Sequence, residues 1–355
     1  MVGFAFHAVD ALPVSVIVPI YNSEEYLEEC LLSIVHQSVR DIEVICVDDH
    51  SDDASVEIVE RCIGLDQRIT LIQHEVNRGP GAARNSGLLA ARGHYLLSVD
   101  SDDLIAPNMV ERLLSKASDS DADVVACGLN LISSDGLTIK RLRIKSAPLN
   151  VCDVFAILKS IFFSFNNKLW RRSIFSDNEI LFPDLRYAED FATTARALAK
   201  ATIIDVVDEP LYVHRWARPR SISSSPSAGH VFDHMAAFFL VRDFLFREGL
   251  WEANRKGFLR ALSDSVDYHA ERLIGADVSI DKKTEYLRIL LTMKCGFLVY
   301  GEAICSTDPA KLFESFSYSG SCSLLDQGAV EKDSGNSVGE EYDPKGNFGA
   351  WMREE

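Results

Sequence analysis

Three short runs of carboxylates stand out in this 355-residue chain. Asp48-Asp49 closes the stretch IEVICVDD, Asp100-Ser101-Asp102-Asp103 closes HYLLSVDSDD, and Glu189-Asp190 opens a later helical stretch. Carboxylates crowded at one place repel one another unless something neutralises them. A hard divalent cation is the simplest neutraliser. Mg²⁺ or Mn²⁺ is typically held by one or two carboxylates and completes its shell with water and substrate phosphates. The alternation Asp100-x-Asp102 suits such an ion, because it leaves coordination positions open. Each run alone has a plainer reading as a turn, a helix cap or a solvated face. Their order and spacing together weigh against it.

The elements that would position these groups alternate along the chain. Residues 14–20 (VSVIVPI) read as a strand buried on both faces, and 24–37 as a helix. A second buried strand at 42–49 precedes a helix with Asp53 as N-cap. A third strand (69–74), a helix over 81–92 ended by Gly93, and a fourth strand (94–103) follow. A helix near 107–117 and a strand at 123–128 continue the pattern. Strands alternating with helices predict an α/β fold with a mostly parallel sheet flanked by helices. In such a sheet ligands bind outside the carboxyl ends of the strands, so the first two acidic runs are expected to share one crevice. Residues 129–165 are compatible with a β-hairpin and a helix around 152–162. A helix is predicted over 186–200, and 201–215 reads as a strand followed by a turn.

Composition narrows the function classes. A net charge of −17 excludes a general nucleic-acid binder, because phosphate backbones demand concentrated Lys and Arg. The eight cysteines are scattered without a CxxC pair, which reads as buried thiols in a reducing compartment. The N-terminus lacks the basic start and apolar stretch of a signal peptide. The most apolar later stretch, 286–300, is interrupted by Arg288, Lys294 and Gly296 and is too short to span a bilayer. A cytoplasmic protein is expected, with contact at the inner face of a membrane left open.

The motifs VSVIVPIYN (14–22), ICVDDHSDD (45–53), NRGPGAARNSGLLAARG (77–93), YLLSVDSDD (95–103), NKLWRRSIF (167–175), YAEDF (187–191) and LYVHRWARPRSIS (211–223) occur in that order. Over roughly residues 12–225 the chain resembles the family 2 glycosyltransferases, inverting enzymes of the GT-A fold that act in bacterial polysaccharide and cell-envelope synthesis. The resemblance implies a nucleotide diphosphate sugar donor (UDP- or dTDP-sugar), a saccharide or lipid-linked saccharide acceptor, and Mg²⁺ or Mn²⁺. It implies that Pro19 and Tyr21 line the base pocket, that Asp49 accepts hydrogen bonds from the base, and that Asp48 supports that loop. Arg84 would stand near the donor phosphates or ribose, or else form an ion pair with the aspartates. Asp102 and Asp100 resemble the metal motif, with Asp100 nearer the ribose and Asp103 behind them. Asp190 matches the general base and Glu189 would orient it. Lys168, His214 and Arg215 would contact diphosphate or acceptor. One departure is visible: His50 stands where the family pattern has glycine.

The resemblance over the first part of the chain, and composition beyond it, set an organisation. Residues 1–225 would form the nucleotide-sugar-binding and catalytic domain, and the Ser/Pro-rich stretch 221–229 a linker. Residues 226–316 would be a helical region, and 317–355, with eight Asp/Glu against three Lys/Arg, a disordered tail. The helical region is expected to shape the acceptor site, to pack against a partner subunit in a homo-oligomer, or to touch a membrane surface. Its crowded Phe238, Phe239, Leu240, Phe244, Leu245 and Phe246 favour core packing. Two other functions compete. A catalytically silent nucleotide-sugar-binding protein is opposed by the intact acidic positions. A nicotinamide-dependent oxidoreductase is opposed because the first strand leads into PIYNSEE instead of GxGxxG. GPGAARN lacks the Lys-Ser/Thr of a phosphate-binding P-loop.

Overall fold

The computed structural model describes residues 13–133, 136–144, 153–216, 228–275, 279–281, 283–288 and 290. The first half alternates as β1 (Val14–Ile20), α1 (Leu27–Val35), β2 (Ile42–Asp48), α2 (Ser55–Leu65), β3 (Ile69–Gln73), α3 (Pro80–Ala90) and β4 (Tyr95–Ser98). β1 and β2 are buried at every position, which explains their unbroken apolar, β-branched runs. β5 (Leu104–Ile105), α4 (Met109–Ser120), β6 (Val124–Ile132), β7 (Thr138–Leu142) and α5 (Val154–Ile161) follow. The chain continues through β8 (Lys168–Arg171), α6 (Ser173–Ser176), α7 (Glu189–Lys200), β9 (Ile204–Arg215), α8 (Ala228–Arg247) and α9 (Trp251–Gly275).

One nine-stranded sheet runs β3-β2-β1-β4-β8-β6-β9-β5, with β7 pairing β6. The four strands β3, β2, β1 and β4 are mutually parallel. Beyond them the sheet is mixed: β8 lies antiparallel to β4 and β6, β9 parallel to β6, and β5 antiparallel to β9. From β1 the chain moves outward through β2 and β3, then returns to the other side of β1 as β4. The reversal puts the exits of β1, β2 and β4 side by side, where a parallel sheet opens a ligand crevice.

Several boundaries differ from the sequence reading, for local reasons. β4 stops at Ser98, so Asp100–Asp103 sit in the turn beyond it. Asp53 is not itself the N-cap of α2. That place is Ala54, and the Asp53 carboxylate accepts the Ser55 amide at 2.9 Å. Gly93 does not end α3, which stops at Ala90. A Cβ on Gly93 would meet the Ser15 amide nitrogen at 2.5 Å, so glycine is there for close chain approach. The turn expected within 201–215 is absent; β9 continues through Pro210 to Arg215, absorbing the proline with register shifts opposite Gly128. The predicted hairpin and helix within 129–165 are β6–β7 and α5.

The chain divides into two compact units, one ending at Phe258 and one beginning at Leu259. In the first, Phe258 packs edge-on to Phe155, Phe238 and Trp251. Of the crowded apolar residues in α8, Phe238, Phe244 and Leu245 are buried, whereas Leu240 and Phe246 are exposed. α8 ends at Arg247, and Gly249 (φ +70°) lies in the break before α9. The expected boundary at 225/226, most of the expected linker and the expected tail 317–355 lie outside the described residues, as do 291–300 of the apolar stretch. No helix among the described residues is long and apolar enough to cross a membrane.

Candidate active site

The exits of β1 and β2 form the first wall. Pro19 is buried in β1 opposite Val47, while Tyr21 just beyond the strand is 47% exposed and offers a free ring face. Asp49 Oδ1 accepts from the His74 ring at 2.7 Å and the Arg78 amide at 2.9 Å; its Oδ2 accepts only the Gly79 amide, at 2.7 Å. A carboxylate oxygen has room for two donors, so Oδ2 retains one acceptor position. Asp48 Oδ2 accepts the Ser51 amide at 3.2 Å, and its buried Oδ1 has no donor among the described residues. His50 takes the left-handed conformation (φ +66°) that the family pattern assigns to glycine. The loop geometry therefore survives the substitution at a modest strain cost.

The acidic turn after β4 is held from three sides. Ser101 Oγ lies 2.7 Å from Ser23 Oγ at the exit of β1. Asp103 is fully buried: its Oδ2 accepts from the Tyr212 hydroxyl at 2.7 Å and His214 Nδ1 at 3.0 Å, and its Oδ1 accepts the Arg215 amide at 2.8 Å. Burial and the neighbouring Asp103 push the Tyr212 hydroxyl far above its ordinary pKa. Burial presses His214 downward, but the Asp103 carboxylate outweighs it and the imidazole pKa is raised. Arg215 is buried, gives Nε to the Asp102 carbonyl at 3.1 Å and Nη2 to Glu29 at 2.9 Å, and lies 4.7 Å over the Tyr26 ring. These bonds make Arg215 a brace of the acidic turn. Among the described residues, Asp100, Asp102 and Asp103 place one carboxylate oxygen each within 4.8 Å of one another. Three carboxylates this close could together hold a hard cation; Asp103 already accepts three hydrogen bonds, and Asp100 accepts one on each oxygen, from Arg84 and Asn166.

The third cluster begins α7. Glu189 and Asp190 occupy its first turn, where the helix dipole favours negative charge. Arg84, buried on α3, joins the second and third clusters: it donates Nη2 to Asp100 Oδ1 and Nη1 to Glu189 Oε1, both at 2.8 Å. Burial and the charge of Asp190 push Glu189 up to about 7, and burial raises Asp190 despite the opposing Arg84. Both carboxylates therefore bind a proton more readily than an ordinary exposed one. The first cluster joins through the same helix, since Asp49 grips the N-cap Gly79 of α3. α3 is thus a spine touching all three acidic runs. Of the two roles weighed for Arg84, the ion pair is the one its bonds describe.

Lys168 departs from its expected role. Its buried Nζ gives all three donors to the Phe162 carbonyl (2.9 Å), the Ser164 carbonyl (2.6 Å) and Asn167 Oδ1 (2.7 Å). Burial lowers its pKa to about 7. It staples the loop 162–167 and has no donor left for a diphosphate. That loop carries Asn166, whose Nδ2 donates to Asp100 Oδ2 at 2.7 Å. Asn166, Tyr212 and His74 were missed from the sequence. Asn166 and Tyr212 flank or lie within quoted motifs, but nothing local in their spacing separates an anchor from a bystander.

Comparison with known proteins places this geometry in a family. The model of Glycosyl transferase family 2 matches residues 15–178. EpsJ of Bacillus subtilis, an uncharacterized glycosyltransferase, is 35% identical over 229 residues, 62% of this chain and 66% of that protein. Glycosyltransferase GlyG of Streptococcus pneumoniae is 34% identical over 213 residues, 57% of this chain and 70% of that protein. The crystal structure of residues 1–349 of Staphylococcus aureus TarS in complex with UDP superposes with a TM-score of 0.54 at 25% identity, covering 81% of this chain and 72% of that one. TarS is a poly(ribitol-phosphate) beta-N-acetylglucosaminyltransferase of which this chain spans 37%. The chain belongs to glycosyl transferase family 2, and its α/β sheet with flanking helices is the GT-A fold.

Proposed function

We propose that this glycosyltransferase moves a sugar, with inversion, from a UDP- or dTDP-sugar onto a hydroxyl of a saccharide or lipid-linked saccharide in polysaccharide synthesis. One observation carries the reading: Arg84 ties Asp100 to Glu189, so two acidic runs distant in sequence adjoin, which supports one shared site for donor and acceptor. The relative TarS, crystallised with UDP, supports a uridine donor. In this reading Tyr21 stacks on the base and Asp49 Oδ2 accepts a base N–H at its remaining position. Asp102, with Asp100, would hold Mg²⁺ or Mn²⁺, which when bound would offset the charge that builds on the departing diphosphate.

Asp190 takes the proton of the acceptor hydroxyl as its oxygen bonds to the anomeric carbon, while the bond from that carbon to the diphosphate oxygen breaks. One in-line displacement inverts the anomeric centre. Arg84 fixes Glu189 beside the base, and Asp103, braced by Tyr212, His214 and Arg215, fixes the acidic turn. The buried free thiols Cys30, Cys46, Cys62 and Cys127 suit a reducing, cytoplasmic setting, which a donor made in the cytoplasm also requires.

A donor screen with purified protein and Mn²⁺, reading nucleoside diphosphate release and the anomeric configuration of the product, tests this. Turnover is expected with a UDP- or dTDP-sugar, and Asp102→Ala and Asp190→Asn are each expected to lower kcat by 100-fold or more, on the order of a lost general base. Full turnover by either variant, or a retained anomeric configuration, would remove the mechanism. A silent nucleotide-sugar binder would bind donor and release no diphosphate.

A further inference from the structure

We propose that Asp233, on α8, is a positioning residue for the base-bearing start of α7. The inference rests on the transferase reading of Glu189 and Asp190. It concerns a part of the chain beyond the family match, which ends at residue 178.

The segment entering α7 is set in an unfavourable conformation that nothing local enforces. Ala188, the residue before Glu189, lies in the left-handed region at φ 58°, ψ 16°. An alanine there is strained and persists only where its surroundings over-determine it. The helix start has no side-chain cap of its own, and Asp190 Oδ1 turns back onto the Phe191 amide at 2.7 Å. The determination comes from α8. Asp233 Oδ2 accepts the amides of Arg186 at 2.9 Å and Tyr187 at 3.1 Å, the two residues directly before Ala188. The Tyr187 ring stacks on His230, with centroids 4.1 Å apart and planes 14° apart. On the far side of the carboxylate pair, the Phe191 ring meets Phe238 of the same helix at 4.8 Å.

α8 therefore grips residues 186, 187 and 191, bracketing Glu189 and Asp190 on both sides. The carboxylate is the directional element of this grip. The ring contacts resist separation, but two amides converging on one oxygen fix the rotation of the turn about the chain. That rotation decides where Glu189 points towards Arg84, and where Asp190 meets an acceptor hydroxyl. The consequence is that α8 belongs to the catalytic framework. A displacement of about 1 Å at a reacting group is enough to cost about 100-fold in rate.

The test compares Asp233→Ala with Asp233→Asn in the full chain, because asparagine keeps an acceptor oxygen and alanine does not. The alanine variant is expected to lose about 10- to 100-fold in kcat. Its donor KM should stay within about twofold, since the donor wall of the site is made by β1, β2 and β4. The asparagine variant is expected to recover most of the rate. Amide hydrogen exchange at Arg186 and Tyr187 should accelerate in Asp233→Ala alone. A wild-type kcat in Asp233→Ala overturns the proposal, as does a rate loss matched by loss of folded protein. An asparagine variant as impaired as the alanine variant overturns it too. If the unmodified enzyme releases no diphosphate from any donor, the transferase reading fails separately. The grip is then judged by exchange alone: faster exchange in Asp233→Ala sustains it, and unchanged exchange overturns it.

Discussion

Arg84 concentrates the electrostatics of the site, because its one guanidinium serves carboxylates from two separate acidic runs. Burial disfavours charge on Glu189 and Asp190, and Arg84 works against that. A base acts only when deprotonated. The raised pair therefore predicts that kcat/KM falls on the acid side with an apparent midpoint above the ordinary carboxylate range. The two groups titrate as a pair, so the midpoint belongs to both. Arg84→Gln removes the cation that lowers both, and the acid limb should move to still higher pH. Leaving two buried carboxylates without their cation should also cost about 3–5 kcal/mol of stability. A pH–rate profile in which the limb stays put or moves down would contradict this assignment.

At the scale of elements, α3 must lie close against β1 to carry both Gly79 and Arg84 to their partners. Gly87 makes that approach: a Cβ there would stand 2.4 Å from Ile17 Cγ2. Gly87→Ala should cost about 1–3 kcal/mol by overpacking. Because the obstruction is a side chain, the cost should shrink in an Ile17→Ala background, a non-additivity that urea unfolding of the four-member cycle measures. Gly93→Ala should behave differently. Its Cβ would meet the Ser15 amide nitrogen at 2.5 Å and the Val14 carbonyl carbon at 2.8 Å, backbone atoms that no side-chain deletion removes, as well as Ser15 Oγ at 2.8 Å. Full relief of Gly93→Ala by Ser15→Ala, which removes only that Oγ, would show the packing argument to be wrong.

For the molecule as a whole, a cation site inside a chain of net charge −17 has to be distinguished from general screening. UDP with Mn²⁺ at about 100 times their dissociation constants should stabilise the fold by about 2.7 kcal/mol, a rise of roughly 5–10 °C in Tm for a body of this size. NaCl at matched ionic strength should not reproduce the Mn²⁺ part of that rise, and Asp102→Ala should lose it. An equal shift from NaCl, or an undiminished one in the variant, would mean that the acidic turn holds no specific ion. The part played by α8 belongs to this scale too, since Asp233 acts on residues 46 and 47 positions away in sequence.

The sequence by itself determined the centre of the parallel half of the sheet, since the hydrophobic runs at 14–20 and 42–48 can satisfy their burial only as neighbouring covered strands. It also determined the carboxylates at the strand exits, because motif order survives where the backbone is fixed by those strands. What tertiary structure decided was partnership. Whether Lys168 faces a diphosphate or staples its own loop depends on three acceptors, two of them backbone carbonyls that carry no residue identity. Whether Arg84 meets phosphate or two carboxylates depends on α3 packing within reach of α7, 105 residues later. Periodicity in sequence records which face of an element is buried. It is silent about which distant group that face meets, because a hydrogen bond is made by position in space and leaves no spacing along the chain.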